Sequence, residues 1–222
     1  MLDKVSETNV SVIILGESGT GKERVASYIH ERSERRGKPF IAVDCPSIPD
    51  TLFESEIFGH IAGAFTGART NKAGKLERAH TGTVFFDEVA DLTSNAQSKL
   101  LRTIQEREIE PLGGGEKRKI NIRVISATSK DLGTEVALEN FRSDLYYRLA
   151  EFEITLPPLR KRKADLPLFT DFFLKKFAKE NNKENKDTIN HFCLFCIHNQ
   201  KQRMALENLF LFFYLVDLVY LD

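Results

Sequence analysis

The apolar run Val10-Ser-Val-Ile-Ile-Leu15 leads without a break into Gly16-Glu-Ser-Gly-Thr-Gly-Lys-Glu23. A chain with this junction must set a buried strand, a tight glycine turn and a helix N-terminus end to end. Gly16, Gly19 and Gly21 allow the backbone to turn its N–H groups inward, with Glu17, Ser18 and Thr20 spaced between them. Such a loop cradles phosphate oxygens. Lys22 then reaches the terminal phosphates, and the helix that starts there points its positive dipole end at them. Glu23 stands where the general pattern has a magnesium-holding Ser or Thr. A glycine-rich segment by itself is often only a turn. The strand before this one and the helical pattern after it favour a bound nucleotide.

Further along, Thr83-Val-Phe-Phe-Asp-Glu88 is a short apolar run that ends in two acids. Phosphate charge calls for magnesium, and a carboxylate at the tip of a neighbouring buried strand can hold that ion, directly or through water. Asp87 fits that task, with Glu23 as a second metal-side residue. Glu88 is then placed to polarise an attacking water as general base. The competing reading, a strand that happens to end in a solvated acidic turn, loses weight once the upstream loop is considered.

The rest of the chain follows a βα rhythm. Strands are expected at 10–15, 40–44, 83–87, 120–127 and 152–156, and helices at 21–33, 50–58, 93–106 and 141–149. This alternation predicts an α/β fold with a parallel sheet and helices on both of its faces. The 222 residues suffice for one such core and a small appendage. With 32 basic and 32 acidic residues, no net field draws the chain toward nucleic acid or membrane. Three cysteines in no even pattern, and an N-terminus without a charged stretch and apolar h-region, point to a reducing cytoplasm.

One segment narrows the class. In Glu54-Ser-Glu-Ile-Phe-Gly-His-Ile-Ala-Gly-Ala-Phe-Thr-Gly-Ala68, small residues surround a lone aromatic and a lone hydroxyl. Chemistry alone gives a mobile loop with a sticky tip at Phe65. With this segment in its order and spacing, the chain from about Val10 to Ala178 resembles the AAA+ ATPase domain of NtrC-type bacterial enhancer-binding proteins. These are activators of sigma-54 RNA polymerase. The resemblance implies an AAA+ P-loop NTPase with an α/β core over 1–158 and a partial C-terminal helical lid over 159–222. Its cofactors would be ATP and magnesium ion, and its working form a hexameric or heptameric homo-oligomeric ring. Gly63, Ala64, Phe65, Thr66, Gly67 and Ala68 would contact the sigma-54 factor. DNA would be met only through a helix-turn-helix domain absent from this chain.

Single positions carry over in the same way. Ile120-Asn-Ile-Arg-Val-Ile-Ser-Ala127 leads to Ser129, where the family usually has an Asn near the γ-phosphate. Arg142 and Arg148, in Phe141-Arg-Ser-Asp-Leu-Tyr-Tyr-Arg-Leu149, match the arginine fingers offered to a neighbouring subunit. Without that context they read as surface arginines on an amphipathic helix. Asp44 falls where relatives often have an Asn that holds the catalytic Glu, which would bring Asp44 and Glu88 face to face. The stretch 113–119 matches a second loop that supports the first. Leu156-Pro-Pro-Leu-Arg-Lys-Arg162 matches the connector to the lid.

Beyond Asp187 the resemblance ends. An amphipathic lid helix is expected over 163–178 and a linker over 179–187. The nearest echo of the family's lid motif is Gln202-Arg-Met-Ala-Leu-Glu-Asn208, and the chain has no Trp. His191, Cys193, Cys196 and His198 have the residue types of a zinc site, but their bulky apolar spacers favour a packed helix. Leu209–Val216 is too short to span a bilayer. Three functional readings compete. They are a sigma-54-activating ATPase, a nucleotide-dependent interaction module with little hydrolysis, and another AAA+ machine such as a helicase loader. The 63–68 loop counts against the last.

Overall fold

The computed structural model describes residues 2–165 together with 167, 168, 171 and 172. The elements run α1 (Leu2–Ser6), β1 (Val12–Leu15), α2 (Lys22–Glu31), β2 (Phe40–Asp44), α3 (Asp50–Phe58) and β3 (Gly59–His60). They continue with β4 (Lys72–Ala73), α4 (Lys75–Arg78), β5 (Thr83–Asp87), α5 (Ser94–Glu106), β6 (Glu108–Ile109) and β7 (Arg118–Lys119). The last are β8 (Arg123–Thr128), α6 (Leu132–Ala137), α7 (Ser143–Leu149) and β9 (Phe152–Thr155). All lie in the first of the chain's two units, Met1–Lys161.

The main sheet has the order β2-β5-β8-β1-β9, and every pairing in it is parallel. Alternation along its strands divides the apolar residues between two cores. Ile13, Val84, Phe86 and Val124 pack with Phe53 and Ile57 of α3, Leu100 and Ile104 of α5, and Leu145 and Leu149 of α7. Val12, Ile14, Phe85, Ile125 and Ala127 pack with Val5 of α1 and Ala26 and Ile29 of α2. A parallel sheet covered on both faces reads as nearly continuous apolar strands, as these do. Each fully buried Ile or Phe contributes about 1.5–3 kcal/mol. The central strands β1, β5 and β8 therefore dominate the stabilisation, and their C-terminal tips are left for polar residues. In an open α/β sheet that edge is where ligands bind.

The predicted elements appear with small shifts and a few additions. The strand expected at 120–127 begins only at Arg123. Before it, the Ile120 amide donates to the Arg107 carbonyl at 2.8 Å, and the Asn121 carbonyl accepts from the Thr81 amide at 2.8 Å. Those bonds hold 120–122 outside the main-sheet ladder. Three short helices, α1, α4 and α6, were not expected. Asp131 caps α6 by accepting from the Thr134 amide at 3.1 Å.

α1 is held by Arg123, which is 1% exposed and donates to the Val5 and Ser6 carbonyls at 2.8 and 3.0 Å. A cation over the last carbonyls of a helix satisfies its orphan acceptors. Burial lowers the Arg123 pKa to about 10, which leaves it charged at neutral pH.

Of the second unit, Arg162–Asp222, the structure describes a 3-10 turn at Lys163–Asp165 and helical positions at 167, 168, 171 and 172. The remainder of the expected lid helix, the linker, the His191–His198 reading, the 202–208 echo and the apolar 209–216 run lie outside the described residues. Among the described residues, no helix is long and apolar enough to cross a membrane.

Candidate active site

The loop after β1 is fixed at its start by the neighbouring strands on both sides. The Gly16 amide donates to the Thr128 carbonyl at the tip of β8 (3.1 Å), and the Leu156 amide donates to the Leu15 carbonyl (2.7 Å). A side chain at Gly16 would meet Thr20 Oγ1 at 2.9 Å and the Leu156 carbonyl at 3.1 Å, so only glycine fits that packing. Gly19 and Gly21 lie at φ +77° and +93°, in the left-handed region. A Cβ at either would meet nothing within 4 Å, which leaves an open concavity over the loop. Gly21 is also the N-cap of α2 and makes no side-chain cap. The first amides of α2 are thus donors available to an anion.

Lys22 and Glu88 meet beneath this loop. Lys22 is 6% exposed, and its Nζ donates to the Gly16 carbonyl at 3.0 Å and to Glu88 Oε1 at 2.9 Å. The second oxygen of Glu88 accepts from the Ser129 amide at 2.8 Å and from Ser129 Oγ at 2.9 Å. Three donors thus saturate one carboxylate, from α2 and from the tip of β8. Glu88 itself sits at φ +50° and ψ +52°, a conformation that costs a non-glycine residue about 1 kcal/mol or more. That turn directs its side chain toward Lys22.

The two acids at the end of β5 are pushed in opposite directions. Burial would raise the Glu88 pKa, but the hydrogen bonds from Lys22 and Ser129 and the Lys22 charge outweigh it, and the net shift is downward. Asp87 is shifted upward, by burial first and then by the Glu88 and Asp44 charges, with Lys22 pulling the other way. One half-buried Asp beside a turned-away Glu is a suitable carboxylate for a hard cation.

The residues fit magnesium only as a shared site. Among the described residues no group of three His, Cys, Asp or Glu could hold a metal. Phosphate and water would therefore supply most of the ligands. Glu23 is exposed in the first turn of α2 and belongs to no such cluster.

The surroundings of the other expected residues differ from one position to the next. Asp44 does not hold Glu88. It lies in register with Asp87 on the neighbouring strand, while Glu88 is taken by Lys22 and Ser129. Ser129, expected beside the γ-phosphate, donates to Glu88 through both its amide and its hydroxyl. Arg142 and Arg148 make no hydrogen bond or ion pair with Lys22, Asp87 or Glu88. Arg142 is bidentate to Asp144 at 3.0 and 2.8 Å, and Arg148 pairs with Glu151 at 3.1 Å. Glu17 in the phosphate loop faces Arg160 rather than the concavity. Sequence reasoning missed this connector contact, although an acid in a glycine loop and a basic run after two prolines were its visible signals.

The 63–68 loop projects from the small β3–β4 pair. Gly63 and Gly67 lie at φ +85° and +106°, and the Gly63 amide donates to the Ala68 carbonyl at 2.8 Å. Phe65 is 39% exposed, its ring edge-on to His60 at 5.0 Å between centroids. The His60 ring is held by Ser55 at 2.7 Å. The second loop braces the first. The Ile61 amide donates to the Leu112 carbonyl at 3.1 Å, and a Cβ at Gly113 would strike the Ala64 Cβ at 2.6 Å.

A strand-ending phosphate loop, a buried lysine and a paired acid on the next strand but one define a P-loop NTPase, and the sheet is that of the AAA+ class. The family model for the sigma-54 interaction domain matches residues 1–155, and the chain belongs to that family. It is 46% identical over 199 residues to the transcriptional regulatory protein XylR of Pseudomonas putida, covering 90% of this chain and 35% of that protein. Against the regulatory protein AtoC of Escherichia coli it is 48% identical over 181 residues, with 82% and 39% covered. The crystal structure of NtrX from Brucella abortus in complex with ADP superposes with a TM-score of 0.76 at 36% identity. That match covers 82% of this chain and 39% of NtrX. The chain spans well under two thirds of the length of each.

Proposed function

We propose that this chain is the ATP-hydrolysing module of a sigma-54-dependent transcriptional activator, working in the cytoplasm as a ring. The observation that supports it most is the meeting of Lys22 and Glu88 at 2.9 Å under an open glycine concavity. Phosphates entering that concavity compete with Glu88 for Lys22. Their arrival frees Glu88 Oε1 while Ser129 keeps Oε2 in place. Glu88 then faces the terminal phosphate with one oxygen able to accept a proton from water. Magnesium, when bound, neutralises phosphate charge, and Asp87 is the carboxylate that would hold it, with Glu23 at its margin. Arg142 and Arg148 complete a neighbour's site by stabilising transition-state charge. The Gly63–Ala68 loop carries the result to sigma-54.

Glu88→Gln tests the chemistry. Turnover should fall by about two decades or more, the usual general-base contribution, while ADP and ATP still bind. Turnover equal to the parent's would remove Glu88 from the role of base.

A second reading is favoured by the saturation of Glu88. If Lys22 and Ser129 never release it, the chain binds nucleotide as an interaction module and barely hydrolyses. Steady-state phosphate release at saturating ATP separates the two.

A further inference from the structure

Gln97 lies on α5, 1% exposed, and no part of the chemistry above uses it. Its side chain is fully engaged. Nε2 donates to the Leu92 carbonyl at 2.8 Å and to the Asn140 carbonyl at 2.9 Å, and Oε1 accepts from the Arg142 amide at 2.8 Å. A primary amide is the only neutral side chain that offers two donors and an acceptor from one carbon, and here all three have partners in two segments, at Leu92 and at Asn140–Arg142. Leu92 closes the 3-10 turn Val89–Asp91 that follows Glu88, and its amide donates to the Val89 carbonyl at 3.2 Å. Arg142 is the N-cap of α7 and makes no side-chain cap of its own. The same frame thus holds the end of the segment that carries Glu88 and the start of the one that carries Arg142.

We infer that Gln97 is a positioning residue for Arg142, setting the backbone from which that arginine reaches a neighbouring copy. The inference rests on the trans role proposed for Arg142. On its other side the Arg142 carbonyl accepts from the Tyr146 amide at 3.0 Å, the opening bond of α7. Among the described residues the Arg142 guanidinium hydrogen-bonds to the exposed Asp144 and to the half-buried Ser98 Oγ at 3.3 Å. An exposed ion pair holds a side chain weakly, so the side chain is free to leave Asp144 while its Cα stays put. An arginine acting across an interface needs that combination, since a displacement of about 1 Å can cost two decades in rate.

The test mixes complementary chains. A Lys22→Ala chain keeps its arginines and loses its site, and an Arg142→Ala chain does the reverse. Together they should recover hydrolysis at mixed interfaces. Gln97→Met is then added to one partner at a time. In the Lys22→Ala chain, which donates Arg142, it should lower the recovered activity by roughly tenfold or more. In the Arg142→Ala chain, which supplies only the site, the Glu88 carboxylate is still held by Lys22 and Ser129, and the recovered activity should stay within about twofold.

Equal loss in both arrangements, or loss in neither, overturns the inference. Gln97→Glu keeps the volume and the acceptor and is read the same way if Gln97→Met gives no cooperative melt. If neither variant melts cooperatively, Gln97 is core packing and the inference falls. A parent mixture that recovers nothing removes the trans reading itself, and the Gln97 inference with it.

Discussion

Two glycine-rich loops leave strands in this molecule, and they are built in opposite ways. The loop after β1 starts from the centre of the main sheet and ends in a ten-residue helix, with Thr20 and Lys22 buried inside it. Its charges are internally matched, Lys22 to Glu88 and Glu88 to Ser129. The 63–68 loop starts from a two-residue strand outside that sheet. It is closed by backbone hydrogen bonds and by a single ring contact between Phe65 and His60. Both use glycines at positive φ, so the conformational chemistry is shared. The difference is anchorage. A loop fixed between core elements holds donors in place for a ligand. A loop on a two-residue strand, with few buried contacts, belongs to the low-stability end of a fold, from which moving parts are drawn.

The largest effect expected from this contrast is a separation of functions at Phe65. Phe65→Ala should abolish capture of sigma-54 by the chain loaded with a transition-state analogue, while steady-state ATPase stays within about twofold. The aromatic is the loop's one apolar contact point, and it shares no hydrogen bond with the Lys22 site. Loss of ATPase in step with loss of capture would show that the loop is part of the catalytic frame, and the contrast would collapse.

The next effect is smaller and sits in the anchored loop's own network. Ser129→Ala removes one of two hydrogen bonds to Glu88 Oε2 and leaves the amide bond in place. A hydrogen bond to a charged group is worth about 1.5–3 kcal/mol, and the exposure of Ser129 discounts that figure. We expect kcat to fall about tenfold with ADP affinity unchanged, and Ser129→Thr to restore most of it. A selective loss of ATP over ADP binding, with kcat intact, would return Ser129 to the γ-phosphate.

The same contrast explains what was legible in the sequence. The main-sheet strands and the anchored loop announce themselves because burial on both faces forces long apolar runs, and phosphate binding forces Gly16, Gly19, Gly21 and Lys22 into fixed spacing. Strand Thr83–Asp87 and helix Asp50–Phe58 match their expected limits for that reason. What stayed hidden depends on partners distant in sequence. Arg123 sits under α1 because of the carbonyls of Val5 and Ser6, and no local pattern signals this. Asp44 occupies a position that suggests a hold on Glu88, but the left-handed turn at Glu88 sends that side chain to Lys22 instead. Gln97 has no local signal either, because its partners Leu92, Asn140 and Arg142 meet it only in the fold.

The smallest expected effect concerns stability and follows from the sign of one shift. Asp87 has its folded pKa raised above the unfolded value, chiefly by burial. Such a carboxyl binds its proton more tightly when folded. Above the unfolded pKa its charge therefore costs stability, and stability falls as pH rises from the unfolded toward the folded value. Glu88, shifted downward by Lys22 and Ser129, behaves in reverse: its contribution is present above its unfolded pKa and is lost as pH falls through the folded one. Asp87→Asn should thus raise the Tm of the nucleotide-free, metal-free chain at pH 7. After discounting for solvent around a half-buried group, the rise is about 1–3 °C. Magnesium-dependent turnover should be lost in the same variant. The Tm difference should shrink as the pH is lowered toward 4 and Asp87 becomes neutral in the parent. A Tm that falls on Asp87→Asn at pH 7 would mean that the Asp87 charge is stabilised by Lys22 more than it is penalised by burial, and the anchored loop would then be matched at both of its acids.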